Sequence, residues 1–129
     1  ESVCGRLAAK RISDAALDEL SAANARCQDA INAQDSDSYY VENERFHRII
    51  YQQSGNGFLA QEAGKLHKRL KPFRRQQLRV RGRMAQSMAE HEEIVAALQA
   101  GDETRAANAL RDHVAVQGEK FHNLMATLK

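Results

Sequence analysis

The stretch GRMAQSMAEHEEIVAALQAGD, residues 82–102, decides the fold because it contains a whole amphipathic helix together with its stop signal. Its apolar residues recur at steps of three and four, which is the spacing of one face of an α-helix. Gly101 is typical of the residue that follows a helix end, and Asp102 is typical of the cap of the next helix. The sequence therefore predicts two consecutive helices with a short connection. The stripe of the first contains Met84, Met88, His91, Val95 and Leu98.

The remainder of the chain shows the same helical periodicity. We predict a first helix over residues 2–11, a second that starts after a cap at Ser13, and a third over about residues 38–53. A fourth helix begins near Gly57 and has Leu66 on its apolar stripe. Pro72 should kink or split that helix, because its ring clashes with the preceding turn. A last helix follows Asp102.

The composition favours an all-α fold. Aromatic residues make up 5% of the 129 residues and there is one proline, so a sheet is hard to assemble whereas helices are rarely interrupted. A chain of this length can form one domain with its own hydrophobic core. We therefore expect one domain over residues 1–129. Its short connections predict an antiparallel helical bundle of about six to seven helices with a central cavity for a ligand or a metal ion.

Charge and cysteine usage exclude several classes of protein. The net charge of +2 is too balanced for a stand-alone nucleic-acid binder, although basic residues concentrate between Lys65 and Arg83. Cys4 and Cys27 form no CxxC motif, and unpaired thiols indicate a reducing compartment, so we expect a cytoplasmic protein. No apolar run approaches a membrane span, and no signal peptide is visible. Because the sequence starts without Met in a helical pattern, we expect a fragment of a longer protein.

Three histidines replace apolar residues on predicted inward faces. His91 lies in the stripe described above, His113 lies on the last helix, and His47 lies on the third helix, four residues after Asn43 and on the same face. A single such histidine is usually a core residue that is hydrogen-bonded to a neighbour. Three buried imidazoles without a shared partner would cost about 1–3 kcal/mol for each unsatisfied group. A divalent metal ion would satisfy all three, and the amide oxygen of Asn43 could join them.

The two other histidines are weaker candidates. His67 lies beside the apolar stripe of the fourth helix, and His122 lies close to the C-terminus. We expect both at the surface or at its boundary.

A series of short motifs runs through nearly the whole chain in a fixed order. Together they resemble the FadR-like (FCD) effector-binding domain, the C-terminal domain of many bacterial GntR-type transcriptional regulators. Each motif alone is weak, whereas the series with this spacing is specific. The motifs are Asn43-Glu-Arg-Phe-His47, Ser54-Gly-Asn56, Glu90-His-Glu-Glu-Ile94, Ala97-Leu-Gln-Ala-Gly101-Asp102, Ala106-Ala107 and Arg111-Asp-His113.

The resemblance implies a metal site. In family members that bind metal, an Asp-x-x-x-His pair joins two later histidines, and these positions are Asn43, His47, His91 and His113 here. Asn43 keeps a ligand oxygen but lacks the charge of Asp, which implies weaker metal affinity and a stronger preference for an anionic effector. Zinc and nickel are expected first, then manganese, iron or copper. The alternative is that the metal is lost and the histidines contact the effector directly.

The resemblance also implies partners. A winged helix-turn-helix domain precedes this domain in the family, so operator DNA is expected to bind only through that part, which this chain lacks. A homodimer that does not associate with membranes is expected. The effector is expected to be a small organic acid, such as a sugar acid, a hydroxy acid, or an aromatic or dicarboxylic acid. Arg69, Arg74 and Arg83 are candidates to bind it, and the alternative for each is a solvated surface arginine.

Two other functions stay open at this point. A metal ion on three histidines could activate water for hydrolysis, but Glu90, Glu92 and Glu93 flank His91, and successive helix positions are expected to point away from its face. The motif HExxH is absent, because Val95 stands where its second histidine would be. A helical module that binds a partner protein would explain the apolar stripes of the helices but would not explain the three inward-facing histidines. The sequence favours a sensor rather than an enzyme.

Overall fold

The computed structural model describes residues 2–113, and every regular element in this part is an α-helix. The helices are α1 (Ser2–Arg11), α2 (Asp14–Asn32), α3 (Ser36–Gln53), α4 (Gly57–Arg69), α5 (Lys71–Leu78) and α6 (Arg83–Gln99). A seventh helix, α7, covers residues 103–113 of the described part. The predicted all-α bundle is confirmed, whereas its central cavity stays a prediction. His122 lies outside the described residues.

Side-chain caps start the helices where the sequence indicates. The side chains of Ser13 and Asp102 each accept a hydrogen bond from the backbone N–H three residues further on, as predicted. Asp35 does the same at the start of α3. For this reason α3 begins at Ser36, two residues before the expected start.

Pro72 splits the predicted fourth helix into two. α4 ends at Arg69 and α5 begins at Lys71, which places the proline in the first turn of α5, where its missing N–H is tolerated. The expectation that Leu66 belongs to the inward stripe is wrong, because its side chain is 58% exposed. The buried face of α4 is centred on Ala63 and His67. Leu66 lies about 100° around the helix axis from His67.

Helix α3 lies at the centre of the packing. It contacts α1, α2, α4 and α5, while α6 packs against α1, α2 and α5. The main core combines side chains of α1, α2, α3, α6 and α7, and the burial of each large apolar side chain stabilises the fold by about 1.5–3 kcal/mol. Its largest members are Leu20, Phe46, Ile50, Ile94, Leu98 and Leu110. Within residues 2–113, no helix is both long and apolar enough to cross a membrane.

At Gly5, α1 packs tightly against α7. A Cβ atom on Gly5 would lie 2.3 Å from Cδ1 of the buried Leu110 and 3.2 Å from the carbonyl oxygen of Ala106. We expect Gly5→Ala to lower the free energy of unfolding by about 1–3 kcal/mol, because the packed core must shift. Urea denaturation measures this change.

Gly64→Ala in α4 is the matched control. A Cβ atom there would meet nothing within 4 Å, so this variant should gain about 0.5–1 kcal/mol from the better helix propensity of alanine. If Gly5→Ala proves as stable as Gly64→Ala, the two helices do not pack as closely as described.

Candidate metal centre

Three buried histidines from three helices meet inside the bundle. His47 of α3, His91 of α6 and His113 of α7 are each at most 1% exposed. One ligand nitrogen of each ring lies within 4.8 Å of those of the other two. The Nε2 atoms of His47 and His113 are 3.3 Å apart. Two imidazole nitrogens bound to one tetrahedral zinc ion at about 2.0–2.1 Å would also be about 3.3 Å apart, so this pair fits such an ion.

Ring packing holds His91 in place. Its ring stacks on that of Phe46, with 4.2 Å between the centroids and 8° between the planes. Tyr39 lies nearly parallel to it, at 6.3 Å between centroids. Neither ring nitrogen of His91 has a hydrogen-bond partner within residues 2–113. Because an unsatisfied buried group costs about 1–3 kcal/mol, this ring fits a metal ligand better than an ordinary core residue.

Glu90 sets the orientation of His113. Nδ1 of His113 donates to Oε1 of Glu90 at 2.5 Å, and Nη1 of Arg83 donates to the same oxygen at 3.2 Å. With its proton on Nδ1, His113 directs the Nε2 lone pair towards His47, as a metal ligand does. Burial alone would raise the pKa of Glu90, but the contacts with His113 and Arg83 outweigh burial and hold that pKa below its usual value.

The expectation that Glu90 points away from the site is wrong. His113 reaches Glu90 from another helix, so the direction of the neighbouring His91 does not limit this contact. Arg83 and Glu90 are seven residues apart, about two turns of one helix, and that spacing is the sequence signal that could have identified the group. Glu90 also brings a carboxylate to a site where Asn43 supplies none.

Asn43 has a buried oxygen on the same helix as His47. It lies four residues before His47 on α3 and is 2% exposed. Its Oδ1 atom has no hydrogen-bond partner within residues 2–113. Residues at this spacing project from one helix face, so the amide oxygen is suited to join the three rings as a ligand.

His67 is buried, contrary to the expectation of a surface position. It is 6% exposed, and its ring centroid lies 5.4 Å from that of His47. Arg74 of α5 donates a hydrogen bond to a ring nitrogen of His67. Oε1 of Glu44 lies 3.9 Å from its Nε2 atom. The expectation failed because α4 turns the face with Ala63 and His67 inward, and the four-residue spacing of His67 from Ala63 was the available signal.

The three candidate effector-binding arginines lie in different environments. Arg69 is exposed at the end of α4. Arg74 is 4% exposed and Arg83 is 1% exposed, so the alternative of a solvated surface arginine is wrong for these two. Nε and Nη2 of Arg83 have no hydrogen-bond partner among the described residues. These two N–H groups lie side by side on the guanidinium, which suits bidentate binding of a carboxylate.

The electrostatics keep two of the rings neutral. Burial lowers the pKa of His47 and of His91 well below the usual value of imidazole. The positive charge of Arg74 acts in the same direction on His47, and that of Arg83 does so on His91. The neutral form is the one that binds metal.

Comparison with known proteins adds a family and a fold. A family model described as "FCD domain" matches residues 1–116. The fold is similar to that of E. coli McbR/YncC, with a TM-score of 0.80 and 19% identity over 93% of this chain and 59% of that one. It is also similar to Streptococcus agalactiae GntR, with a TM-score of 0.69 and 24% identity over 92% of this chain and 53% of that one. The chain thus spans little more than half the length of these two proteins. No curated protein matches it.

The buried neutral rings predict a pH dependence of stability in the metal-free protein. Since the folded-state pKa of His47 and of His91 lies below the unfolded value of about 6.5, the unfolded state binds more protons below that pH. The stability contributed by these rings is complete above about pH 6.5 and is lost as the pH falls. Chemical denaturation between about pH 7.5 and 5 should show up to about 1.4 kcal/mol lost per pH unit for each ring.

His91→Phe is the control for this dependence. Phenylalanine keeps an aromatic ring against Phe46 but does not titrate, while the other histidines are unchanged. The slope of stability against pH should therefore become shallower. An unchanged slope in this variant would contradict the assignment of a lowered pKa to His91.

Proposed function

This chain belongs to the FCD domain family, and we propose from that premise that it senses a small organic acid for a transcriptional regulator, through a bound divalent metal ion. The observation that supports this proposal is the buried group of His47, His91 and His113, whose ligand nitrogens lie within 4.8 Å of one another. No hydrogen bond from the described residues satisfies His91, so the group is suited to an ion that all three rings share.

We propose that His47, His91, His113 and the amide oxygen of Asn43 hold the metal. Three imidazoles favour zinc or nickel, and manganese, iron and copper are also compatible with this set. Four protein ligands leave room on a five- or six-coordinate ion. Such an ion supplies an open coordination position that a carboxylate can take.

Residues around the group would orient the ligands and the acid. Glu90 fixes the proton of His113 on Nδ1, which leaves Nε2 available. The two unpaired N–H groups of Arg83 would hold a carboxylate of the acid. Because Oε1 of Glu90 already accepts hydrogen bonds from His113 and Arg83, the carboxylate is better suited to position these residues than to activate water.

The acid would act by favouring one arrangement of the helices. A ligand shifts a conformational equilibrium only through its different affinity for the two states. The ligand groups lie on α3 and α6, and α7 adds His113, so a ligand held between them would favour one spacing of these helices. We propose that this spacing passes to a DNA-binding domain in a homodimer and alters the contacts of its two copies with operator DNA.

Metal binding is the first test of the proposal. Titration calorimetry with zinc or nickel should show one site per chain. A metal concentration of about 100 times the Kd should stabilise the folded protein by about 2.7 kcal/mol in a thermal-shift experiment. His47→Ala, His91→Ala and His113→Ala should each abolish most of that shift.

Matched variants show whether the effect belongs to these positions. His67→Gln removes a buried histidine outside the group of three and should leave the stoichiometry unchanged. Asn43→Asp adds a negative ligand and should tighten metal binding about tenfold or more, while lowering the stability of the metal-free protein. A full metal-dependent shift in all three alanine variants would rule out the site.

The response to organic acids tests the sensor. A thermal-shift panel of sugar acids, hydroxy acids, aromatic acids and dicarboxylic acids is measured with the metal-loaded and the metal-free protein. We expect at least one acid to raise the midpoint only in the loaded protein. Arg83→Lys should weaken that acid about tenfold, since it removes a bidentate charged contact. The matched variant Arg69→Lys should not, because Arg69 is exposed.

A panel in which no acid distinguishes the loaded from the metal-free protein would count against sensing through the metal. An acid that binds equally well to both forms would instead support direct contact with the histidines.

A further inference from the structure

A cleft with a strongly basic lining lies between α3 and α4, and the buried His67 is part of its wall. Its volume is about 610 Å³, which is in the range of small-molecule sites. Four cationic side chains line it, against one carboxylate, Glu44. The cationic residues are Arg48, Lys65, Lys68 and Lys71.

Few carboxylates of the described residues 2–113 neutralise the positive charge of this cleft. No carboxylate within residues 2–113 forms an ion pair with Arg48, Lys68 or Lys71. Lys65 lies 3.4 Å from Glu62, but both side chains are about half exposed, and such surface pairs contribute little. Concave walls concentrate the resulting field and attract small anions.

A buried hydroxyl group in the wall is a second, independent sign of a ligand. Tyr51 lines the cleft and is 4% exposed. Its hydroxyl has no hydrogen-bond partner among the described residues. A buried phenol normally finds a partner, because an unsatisfied hydroxyl costs about 1–3 kcal/mol. An acceptor oxygen of a bound anion would satisfy it.

We propose that this cleft is a second anion site, which takes a compact polyanion with phosphoryl groups or several carboxylates. It is separate from the carboxylate position at Arg83 and does not require the metal. Arg48 approaches the anion from α3, and Lys65 and Lys68 approach it from α4. The bound anion therefore holds α4 against α3. Since Arg48 follows His47 directly, the helix that supplies two of the candidate metal ligands also forms one wall of the cleft.

The cleft is tested with two probes of different chemistry. Pyrophosphate and citrate are titrated into the whole chain after the metal has been removed, so that neither probe can bind through an ion. We expect saturable binding of one anion per chain. The double variant Lys65→Gln/Lys68→Gln should weaken it at least about tenfold, because each hydrogen bond from a charged group is lost. Tighter binding of pyrophosphate identifies a phosphoryl ligand, and tighter binding of citrate identifies a polycarboxylate.

Three control variants show whether the anion binds in the cleft itself. Lys10→Gln/Arg79→Gln removes the same net charge elsewhere and should leave the affinity within about twofold, since distant surface charges are screened. Tyr51→Phe changes no charge and should weaken binding about threefold if the hydroxyl donates to the anion. Arg83→Lys should retain full affinity for both probes. The test of the cleft is therefore independent of the test of the proposed sensor site.

Two results would overturn the proposal. One is the absence of saturable binding of either probe. The other is an equal loss of affinity in the cleft variant and in its charge-matched control, which would show only attraction to bulk positive charge.

Discussion

The centre of this bundle is constrained by buried nitrogen atoms, because each of them needs a hydrogen-bond partner or a metal ion. Three imidazoles and the guanidinium of Arg83 lie inside it with almost no exposure to water. Burying these polar groups close together in an apolar core would cost a large free energy of desolvation. Glu90 accepts hydrogen bonds from His113 and Arg83. A metal ion shared by the three rings would be a partner for most of the remaining nitrogen atoms.

Helix α3 contributes residues to both of the proposed sites. Its inward face carries Asn43 and His47, and the adjacent face carries Glu44, Arg48 and Tyr51, which line the basic cleft. His67 lies between them, with its ring 5.4 Å from His47 and 6.3 Å from Tyr51. A ligand on either side of α3 therefore acts on the same rigid element. Any coupling between ligands of the two proposed sites would involve this shared helix.

Two pairs of charged or polar residues, each separated by seven positions in the sequence, make the interior more polar than the apolar stripes of the helices indicate. Arg83 contacts Glu90 along α6, and Arg74 of α5 contacts His67 of α4 across the break at Pro72. Arginine is rarely buried unless paired, so these contacts explain how Arg83 and Arg74 can leave the surface. The same pairs explain why an interpretation based on single apolar positions missed Glu90 and His67.

The sequence by itself determined the helices, because periodicity, caps and the Pro72 break are local properties, and it also singled out the three histidines as misfits on apolar stripes. The motif series was sufficient to indicate the family. Only the tertiary structure decided that the three rings converge, that Glu90 holds His113, that Arg74 and Arg83 are buried, and that Leu66 faces outward. These features depend on the rotation of each helix about its own axis and on the neighbour it meets. Contacts between residues as far apart in sequence as His47 and His113 determine the rotation of each helix and its neighbour. No local sequence pattern encodes such contacts.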